Sequence, residues 1–367
     1  MEYVLTEQMR VGYGKHEIVQ NINLHLKRGE IMTLIGPNGV GKSTILKSFT
    51  RQLSMLGGTC VLDNKELETY NDRELAKKMS IVLTGRVQGE YFTCKDIVEK
   101  GRYPYTGSFG IFSDEDHRKV MEALELVNMK DYADCLFEQL SDGQKQRVLL
   151  AKAVCQEPEI LVLDEPASFL DIRYKLELAQ ILKHLAKEKN MAILMALHEI
   201  DLAKRISDIV VCIKDGKVDQ YGEPEDIYSS DYISKLYDIK QGSYNVEGSL
   251  MELPPVKNPP EIFVIAGGGF GISVYHKLWR KQIPFAAGVL HENDIETPVA
   301  KSLATSIVLE RAFEPVSEEK MMEAKKILQY CKSVICACEQ FGTMNQKNKL
   351  LLDYAIKQNL LIDANKL

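Results

Sequence analysis

At 367 residues, with 45% hydrophobic and 27% charged residues, the chain has the make-up of a globular protein of two or three domains. A net charge of −6 argues against a general nucleic-acid binder, and no apolar run is long enough to cross a membrane. The first residues, Met1 to Glu7, lack the basic start and apolar core of a secretory signal. Eight cysteines without a regular spacing point to reduced thiols and hence to the cytoplasm.

Residues 3–11 and 18–27 alternate with a period of two, Ile22, Leu24 and Leu26 among them, which predicts antiparallel strands. Between them Tyr13 falls in a Gly12-Tyr13-Gly14 loop, where an aromatic either stacks on an adenine or is an ordinary loop tyrosine. Arg28-Gly29 turns the chain into Ile31-Met32-Thr33-Leu34-Ile35, a predicted buried strand. Gly36-Pro37-Asn38-Gly39-Val40-Gly41-Lys42-Ser43-Thr44 follows, and then a helix-compatible stretch from Ile45 to Leu53. Strand, glycine loop and helix in that order make a phosphate-binding P-loop. The glycines let several N–H groups converge on one anion, and the helix start adds about half a positive charge. Lys42 is expected to reach the β- and γ-phosphates, and the Ser43 hydroxyl to ligate Mg²⁺, so the chain is expected to bind a nucleoside triphosphate.

Ser80 to Leu83 reads as a second short buried strand. From Asp96 to Lys130 the pattern is helical, with Val120, Leu124 and Val127 on one face. A polar connector, Asp131 to Gln139, leads to Leu140-Ser141-Asp142-Gly143-Gln144-Lys145-Gln146-Arg147 and a helix from Val148 to Cys155, with Ser141 as N-cap. Ile160-Leu161-Val162-Leu163-Asp164-Glu165-Pro166 is a strand whose two carboxylates emerge at its C-terminal edge, where open α/β sheets bind ligands. Beside a P-loop, Asp164 suits the Mg²⁺ shell and Glu165 a general base that activates water. A helix from Arg173 to Lys189 precedes a strand, Met191 to Leu197, that ends in His198. A lone histidine there is ordinarily structural or simply exposed, but on the same edge as Lys42 and Glu165 it is a candidate γ-phosphate sensor. Val210 to Ile213, Asp215-Gly216 and Val218 to Tyr221 read as a hairpin with a type I′ turn.

Together these motifs resemble the ATP-binding subunits of ABC transporters over essentially residues 1–250. Gly36–Thr44 matches that family's Walker A loop, Leu140–Gln144 its signature motif and Ile160–Glu165 its Walker B strand. Ser168-Phe169-Leu170-Asp171 matches the D-loop, His198 the switch histidine and Tyr13 the adenine-stacking position. The resemblance implies a head-to-tail homodimer or pseudo-dimer that sandwiches two ATP molecules. Lys42 of one copy and Ser141, Gly143 and Gln144 of the other would hold the same phosphates, with closure on ATP binding and opening on hydrolysis. Asp96 to Gly107, and Gly222 to Tyr228 with Leu236-Tyr237, look like the subgroup that energises uptake of ferric siderophores, haem or cobalamin. The implied partners are integral membrane permease subunits and, indirectly, an extracytoplasmic substrate-binding protein, with no nucleic acid. The implied location is peripheral, on the cytoplasmic face of the cell membrane. Two departures stand out. Asp142 takes a position where glycine is commoner, and Gln88 arrives about three residues late for the family's Q-loop glutamine. Gln88 either reaches Mg²⁺ from a longer loop or leaves the metal without that ligand.

Residues 251–260 contain Pro254, Pro255, Pro259 and Pro260 and read as a semi-rigid linker. Beyond it, strands at Ile262–Ala266, Phe285–Leu290, Ser306–Leu309, Ser333–Cys338 and Leu360–Asp363 alternate with helices at Ile272–Lys281, Ser317–Tyr330 and Met344–Lys357. That alternation predicts a small, Rossmann-like, doubly wound domain over 261–367. Gly267-Gly268-Gly269-Phe270-Gly271 is either a tight βα turn or an anion or nucleotide cradle, although Ile272 stands where the dinucleotide pattern wants glycine. His291, Glu292, Asn293 and Asp294 follow the second strand on the ligand-binding edge, and Cys336 and Cys338, on a core-like strand, read as buried thiols rather than metal ligands. The expected whole is an α/β protein. Residues 1–250 form a P-loop ABC-type domain with an antiparallel β subdomain, a parallel-sheet core and a helical subdomain, and a regulatory or ligand-sensing module follows. Two other functions fit the same motifs: a soluble ABC ATPase driving a mechanical task, and an ATP-gated sensor with negligible turnover.

Overall fold

The computed structural model describes residues 2–82, 91–106, 110–168, 170–240, 242–245, 250–338 and 340–364. Gln88 and Phe169 lie outside these. The chain divides into two compact units, Met1–Ser229 and Ser230–Leu367.

The first unit is built on strands β1 (Glu2–Tyr13), β2 (His16–Lys27), β3 (Ile31–Ile35), β4 (Gly57–Leu62), β5 (Lys65–Glu66) and β6 (Met79–Val82). They are joined by β7 (Ile160–Asp164), β8 (Ala192–Ala196), β9 (Ile209–Lys214) and β10 (Lys217–Gly222). All ten form one sheet in the order β5-β4-β1-β2-β10-β9-β3-β8-β7-β6. Its β4-β1-β2 side is antiparallel, whereas β9, β3, β8, β7 and β6 run parallel. The pattern of residues follows this division. β2 alternates buried Ile22, Leu24 and Leu26 with exposed neighbours, while every residue of β3, β7 and β8 is buried, as strands covered on both faces require. Asp215 and Gly216 both have positive φ (48° and 72°), which fits the type I′ turn expected between β9 and β10.

Helices α1 (Lys42–Phe49), α2 (Asp72–Lys78), α3 (Cys94–Glu99), α4 (Asp114–Leu126), α5 (Asp142–Cys155), α6 (Ile172–Lys187), α7 (Ile200–Ile206) and α8 (Pro224–Ile227) complete the unit. Four of them start on capping boxes, at Asn71, Thr93, Ser113 and Ser141, which satisfy otherwise orphaned first-turn donors. α3, α4 and α5 pack on one another as a helical subdomain. Buried Arg102 pins it, with Nε on Asp116 Oδ1 at 2.8 Å and Nη1 on the Cys155 carbonyl at 2.8 Å and on Glu157 Oε2 at 2.9 Å.

Three local expectations need correction. The single helical stretch from Asp96 to Lys130 is two helices, because Pro104 ends the first and the Ser113 cap starts the second. The helix expected from Val148 begins at Asp142, so Gly143 and Gln144 lie in its first turn. Tyr13 is not a loop residue but the last residue of β1, paired with His16.

The second unit opens with α9 (Ser230–Leu236) and a two-stranded hairpin, β11 (Ser243–Asn245) and β12 (Leu250–Glu252). Then come β13 (Ile262–Ile265), α10 (Ile272–Arg280), β14 (Phe285–His291), α11 (Thr297–Leu303), β15 (Ser306–Glu310), α12 (Glu318–Tyr330), β16 (Ser333–Cys336) and α13 (Asn348–Lys357). The four long strands are parallel in the order β15-β14-β13-β16. Leu360–Asp363, expected as a fifth strand, makes only a one-residue parallel bridge, Leu361 to Val334, on the far side of β16. In chain order the arrangement is 3-2-1-4 with the bridge outermost, the order of a Rossmann half-fold. Successive β13 residues face opposite cores. Ile262 and Val264 pack with Tyr275, Leu278 and Leu303, and Phe263 and Ile265 pack with Leu328, Leu351 and Ala355.

The unit boundary falls at Ser229, earlier than residue 250, because α9 packs on β11 and β12 on α11 within the second unit. The proline segment belongs to that unit too. Glu252 pairs with His276 at 3.0 Å, and the Trp279 indole donates to the Pro254 carbonyl at 2.8 Å. All eight cysteines are free, and the thiols of Cys336 and Cys338 donate to the carbonyls of Cys338 and Gln340. No described cluster of His, Cys, Asp or Glu is arranged to hold a metal, and no described helix is long and apolar enough to cross a membrane.

Candidate functional site

The parallel register of β3, β8 and β7 sets the site. Leu34 and Asp164 both lie level with Ala196, so the residues after each strand, Gly36, Glu165 and His198, emerge on one edge of the sheet. The loop after β3 bends sharply, with φ of 143°, 81° and 105° at Gly36, Gly39 and Gly41. A Cβ on Gly36 would stand 2.3 Å from the Ile213 carbonyl oxygen, and one on Gly41 would stand 2.4 Å from Val19 Cγ2. The glycines at these two places are therefore required by contact as well as by φ. α1 starts at Gly41 with no capping side chain, so its first-turn amides and its dipole face the loop.

Lys42 is 5% exposed and its Nζ donates to the carbonyls of Gly36 (2.7 Å) and Pro37 (3.0 Å). Burial pulls its ammonium pKa below the ordinary value, with Glu165 and Asp164 opposing that shift. Ser43 Oγ donates to Asp164 Oδ1 at 3.0 Å. Asp164 is 4% exposed, and burial raises its pKa while the Ser43 hydrogen bond lowers it. Thr44 is buried in α1, and Val40 packs beside Gly36.

Glu165 sits at φ 51°, a left-handed conformation unusual outside glycine, with its N–H donating to Ala196 O at 3.0 Å. Both carboxylate oxygens are held, Oε2 by Ser168 Oγ at 3.2 Å and Oε1 by His198 Nε2. Hydrogen bonds thus join Ser43 to Asp164 and Glu165 to His198, with Lys42 close enough to feel both carboxylates. A base with a fixed aim beside two hard oxygen donors and a buried cation is an arrangement suited to phosphoryl chemistry.

The remaining candidates stand apart from this cluster. Ser141 Oγ accepts from Gln144 N and Gln144 Oε1 from Ser141 N, so the signature residues bond among themselves at the start of α5. Gly143 lies against Leu170 and Tyr174. Asp171 caps α6 by accepting from Tyr174 N at 2.9 Å. Tyr13 is 51% exposed at the end of β1. The grip of Ser168 on Glu165 was not legible beforehand; the one signal was a serine three residues after the acid.

Residues 19–168 match the ABC transporter family model, and residues 285–366 match the MJ0874 family. The chain is 42% identical to MJ0873, an ABC transporter ATP-binding protein of Methanocaldococcus jannaschii. That alignment spans 287 residues, 78% of this chain and 99% of the relative, and so is longer than the first unit. It is 38% identical over 239 residues to the iron(3+)-hydroxamate import ATP-binding protein FhuC of Bacillus subtilis, covering 65% of this chain and 89% of that one. Among solved structures, the dimeric ABC transporter cassette MJ0796 superposes with a TM-score of 0.55 at 28% identity, over 60% of this chain and 98% of the cassette. The chain belongs to the family of ABC transporter ATP-binding subunits, close to those of siderophore importers.

Proposed function

We propose that this chain is the ATP-hydrolysing subunit of a membrane importer for metal chelates of the iron-siderophore, haem or cobalamin kind. The observation that carries the reading is the single sheet edge that gathers Lys42, Ser43, Asp164, Glu165 and His198. The likeness to FhuC, whose name gives iron(3+)-hydroxamate import, supports the choice of cargo.

In this mechanism the amides of Gly36–Thr44 wrap the β- and γ-phosphates and Tyr13 stacks on the adenine. Lys42 Nζ exchanges the carbonyls of Gly36 and Pro37 for phosphate oxygens. Ser43 Oγ and Asp164 Oδ1 are the hard oxygen donors Mg²⁺ takes, and the ion, when bound, offsets phosphate charge; Gln88 is the further candidate ligand. Glu165 accepts a proton from the attacking water as the water oxygen bonds to the γ-phosphorus and the bond to the ADP oxygen breaks. Ser168 and His198 keep its carboxylate aimed, and His198 also senses the γ-phosphate. Ser141, Gly143 and Gln144 of a second copy, at the positive end of α5, close over the same phosphates, with Asp171 beside that contact. Closure and reopening of the dimer is the motion passed to permease subunits at the cytoplasmic face of the membrane. The dimeric state of the MJ0796 cassette supports the pairing.

Glu165→Gln tests this. It keeps a side chain that can bond Ser168 but removes the base, so phosphate release should fall by about 10²- to 10⁴-fold. ATP binding should persist, and light scattering should show an ATP-dependent dimer. Unchanged phosphate release, or a variant that stays monomeric with ATP, overturns the mechanism.

A further inference from the structure

Just past β8 the sheet lets go of the chain. Leu197 N still donates to the Leu34 carbonyl at 3.1 Å, but the N–H groups of His198 and Glu199 bond nothing among the described residues. Glu199 stands at the start of α7, where a carboxylate ordinarily turns to the first amides and the positive end of the helix. It does not do so here. Its side chain makes no cap bond, and Oε1 instead meets Lys175 Nζ at 2.9 Å. The segment that carries His198 is therefore tied down on two sides by side chains, His198 Nε2 on Glu165 Oε1 and Glu199 on Lys175.

Lys175 is mounted on a fixed element. Its N–H donates to the Asp171 carbonyl at 3.0 Å, which places it one turn into α6, and Asp171 caps that turn through Tyr174 N at 2.9 Å. Arg147 of α5 lies over the Tyr174 ring, 4.3 Å from its centre, and pairs with Glu177 in the next turn. Leu178, Ile181, Leu182 and Leu185 bury the opposite face. A tether from an element held this firmly fixes a loop residue more closely than one loop can fix another. The two side chains are 30% and 28% exposed, so the pair is shielded from much of the salt screening that weakens surface pairs without being deeply desolvated.

From this geometry we infer that Lys175 is a positioning residue for hydrolysis: through Glu199 it holds the backbone that carries His198, and His198 in turn aims Glu165. The inference rests on the reading of Glu165 as the base. Without the ammonium, Glu199 keeps its charge and is free to swing to the first amides of α7, which turns the backbone beside His198. The base then spends less time in line with the attacking water, and general-base catalysis depends on that geometry. The phosphate loop and Lys42, on β3 and α1, are not part of this chain of contacts, so ATP affinity is left alone.

Lys175→Met keeps the apolar stem and removes the charge. In the full-length chain kcat for ATP should fall about three- to fivefold, the range open to a pair of this exposure, with KM for ATP within about twofold of the parent. Lys175→Arg, which also reaches a carboxylate, should restore about half of the lost kcat or more. Lys175→Met combined with Glu199→Gln should be no slower than the slower single variant, because both remove one interaction. A second readout needs no turnover. In protein labelled with ¹⁵N-histidine, the His198 ring signal, assigned by its loss in His198→Gln, should move in Lys175→Met and return in Lys175→Arg. Parent kcat in Lys175→Met, a rise in KM in place of the fall in kcat, additive losses in the double variant, or a His198 signal that stays put overturns the inference. A parent chain that releases no phosphate would instead refute the reading of Glu165, and the ring signal would still decide whether Lys175 holds His198.

Discussion

Gly41 and Gly39 lie two residues apart in the same loop, yet an added methyl group should act differently at each. Both have positive φ, 105° and 81°, so alanine at either costs about 1–2 kcal/mol of backbone strain. At Gly39 nothing lies within 4 Å of the new Cβ. At Gly41 it would stand 2.4 Å from Val19 Cγ2 and 2.8 Å from Ile18 Cγ2, and Val19 is fully buried in β2. Overpacking of that kind adds about 1–3 kcal/mol. Gly39→Ala should therefore destabilise the first unit by about 1–2 kcal/mol and Gly41→Ala by about 2–5 kcal/mol. The larger value takes much of the 5–15 kcal/mol that holds a typical domain together. Urea unfolding followed by far-UV circular dichroism measures the difference. Trp279, in the second unit, supplies an internal control whose midpoint should stay put. ATP affinity should fall more in Gly41→Ala, because the strained loop also starts α1. A Gly39→Ala variant as unstable as Gly41→Ala would refute the contact argument.

Arg102→Ala should cost the helical subdomain about 3–5 kcal/mol, because it leaves Asp116 buried beside α5 without its cation. Arg102→Lys should rescue little, since one ammonium cannot serve Asp116, Glu157 and the Cys155 carbonyl together. Burial pushes the Asp116 pKa up, but hydrogen bonds from Ser113 and Arg102 win and hold it at about 2, below the ordinary 3.8. A carboxyl with a depressed folded pKa stabilises above its unfolded value, so this contribution should vanish as pH falls from about 4 to about 2. In Arg102→Ala the acid loss should begin at higher pH, read by circular dichroism. Glu296 has the opposite sign. Burial first, and Asp294 second, raise it from 4.5 to about 7, so the folded unit holds that proton more tightly than the unfolded chain does. Stability of the second unit should fall as pH rises through that interval, and Glu296→Gln should flatten the slope. The urea midpoint of Trp279 fluorescence at about pH 5 and about pH 8 measures it, and equal midpoints in the parent chain would contradict the assignment.

Much of the first unit was legible because its signals are local. A fully apolar five-residue strand, a glycine loop and a helix start are read within fourteen residues, from Ile31 to Thr44, and the acids of Asp164-Glu165 announce themselves by ending an apolar run. What was missed depends on partners distant in sequence. Residues 251–260 read as a linker because prolines break elements. Their attachment, through Trp279 to Pro254 and His276 to Glu252, joins residues that no short window contains. Tyr13 read as a loop residue because glycines flank it, yet pairing with His16 carries the strand one residue past Gly12. The helix of the signature motif was placed too late because Asp142 and Gly143 have low helix propensity, which the Ser141 capping box outweighs.

The two glycine turns show why a motif needs its surroundings before it means anything. Each follows a buried strand, opens a helix and places glycines at positive φ, so the two share the local features of an anion cradle. Their neighbours reverse that. After β3 a buried lysine donates into the loop, and the acids at the end of β7 and just after it are engaged by Ser43, Ser168 and His198. After β13 the acids that follow β14 take the amides of Gly268 and Gly271 themselves, so those two donors are already used. The difference is carried by Lys42 on one side and by Asp294 and Glu296 on the other, and Glu296 lies 25 residues from the amide it satisfies. Glycine-rich turns with similar local signals therefore meet a lysine in one unit and two acids in the other, and that difference in neighbours is what separates them.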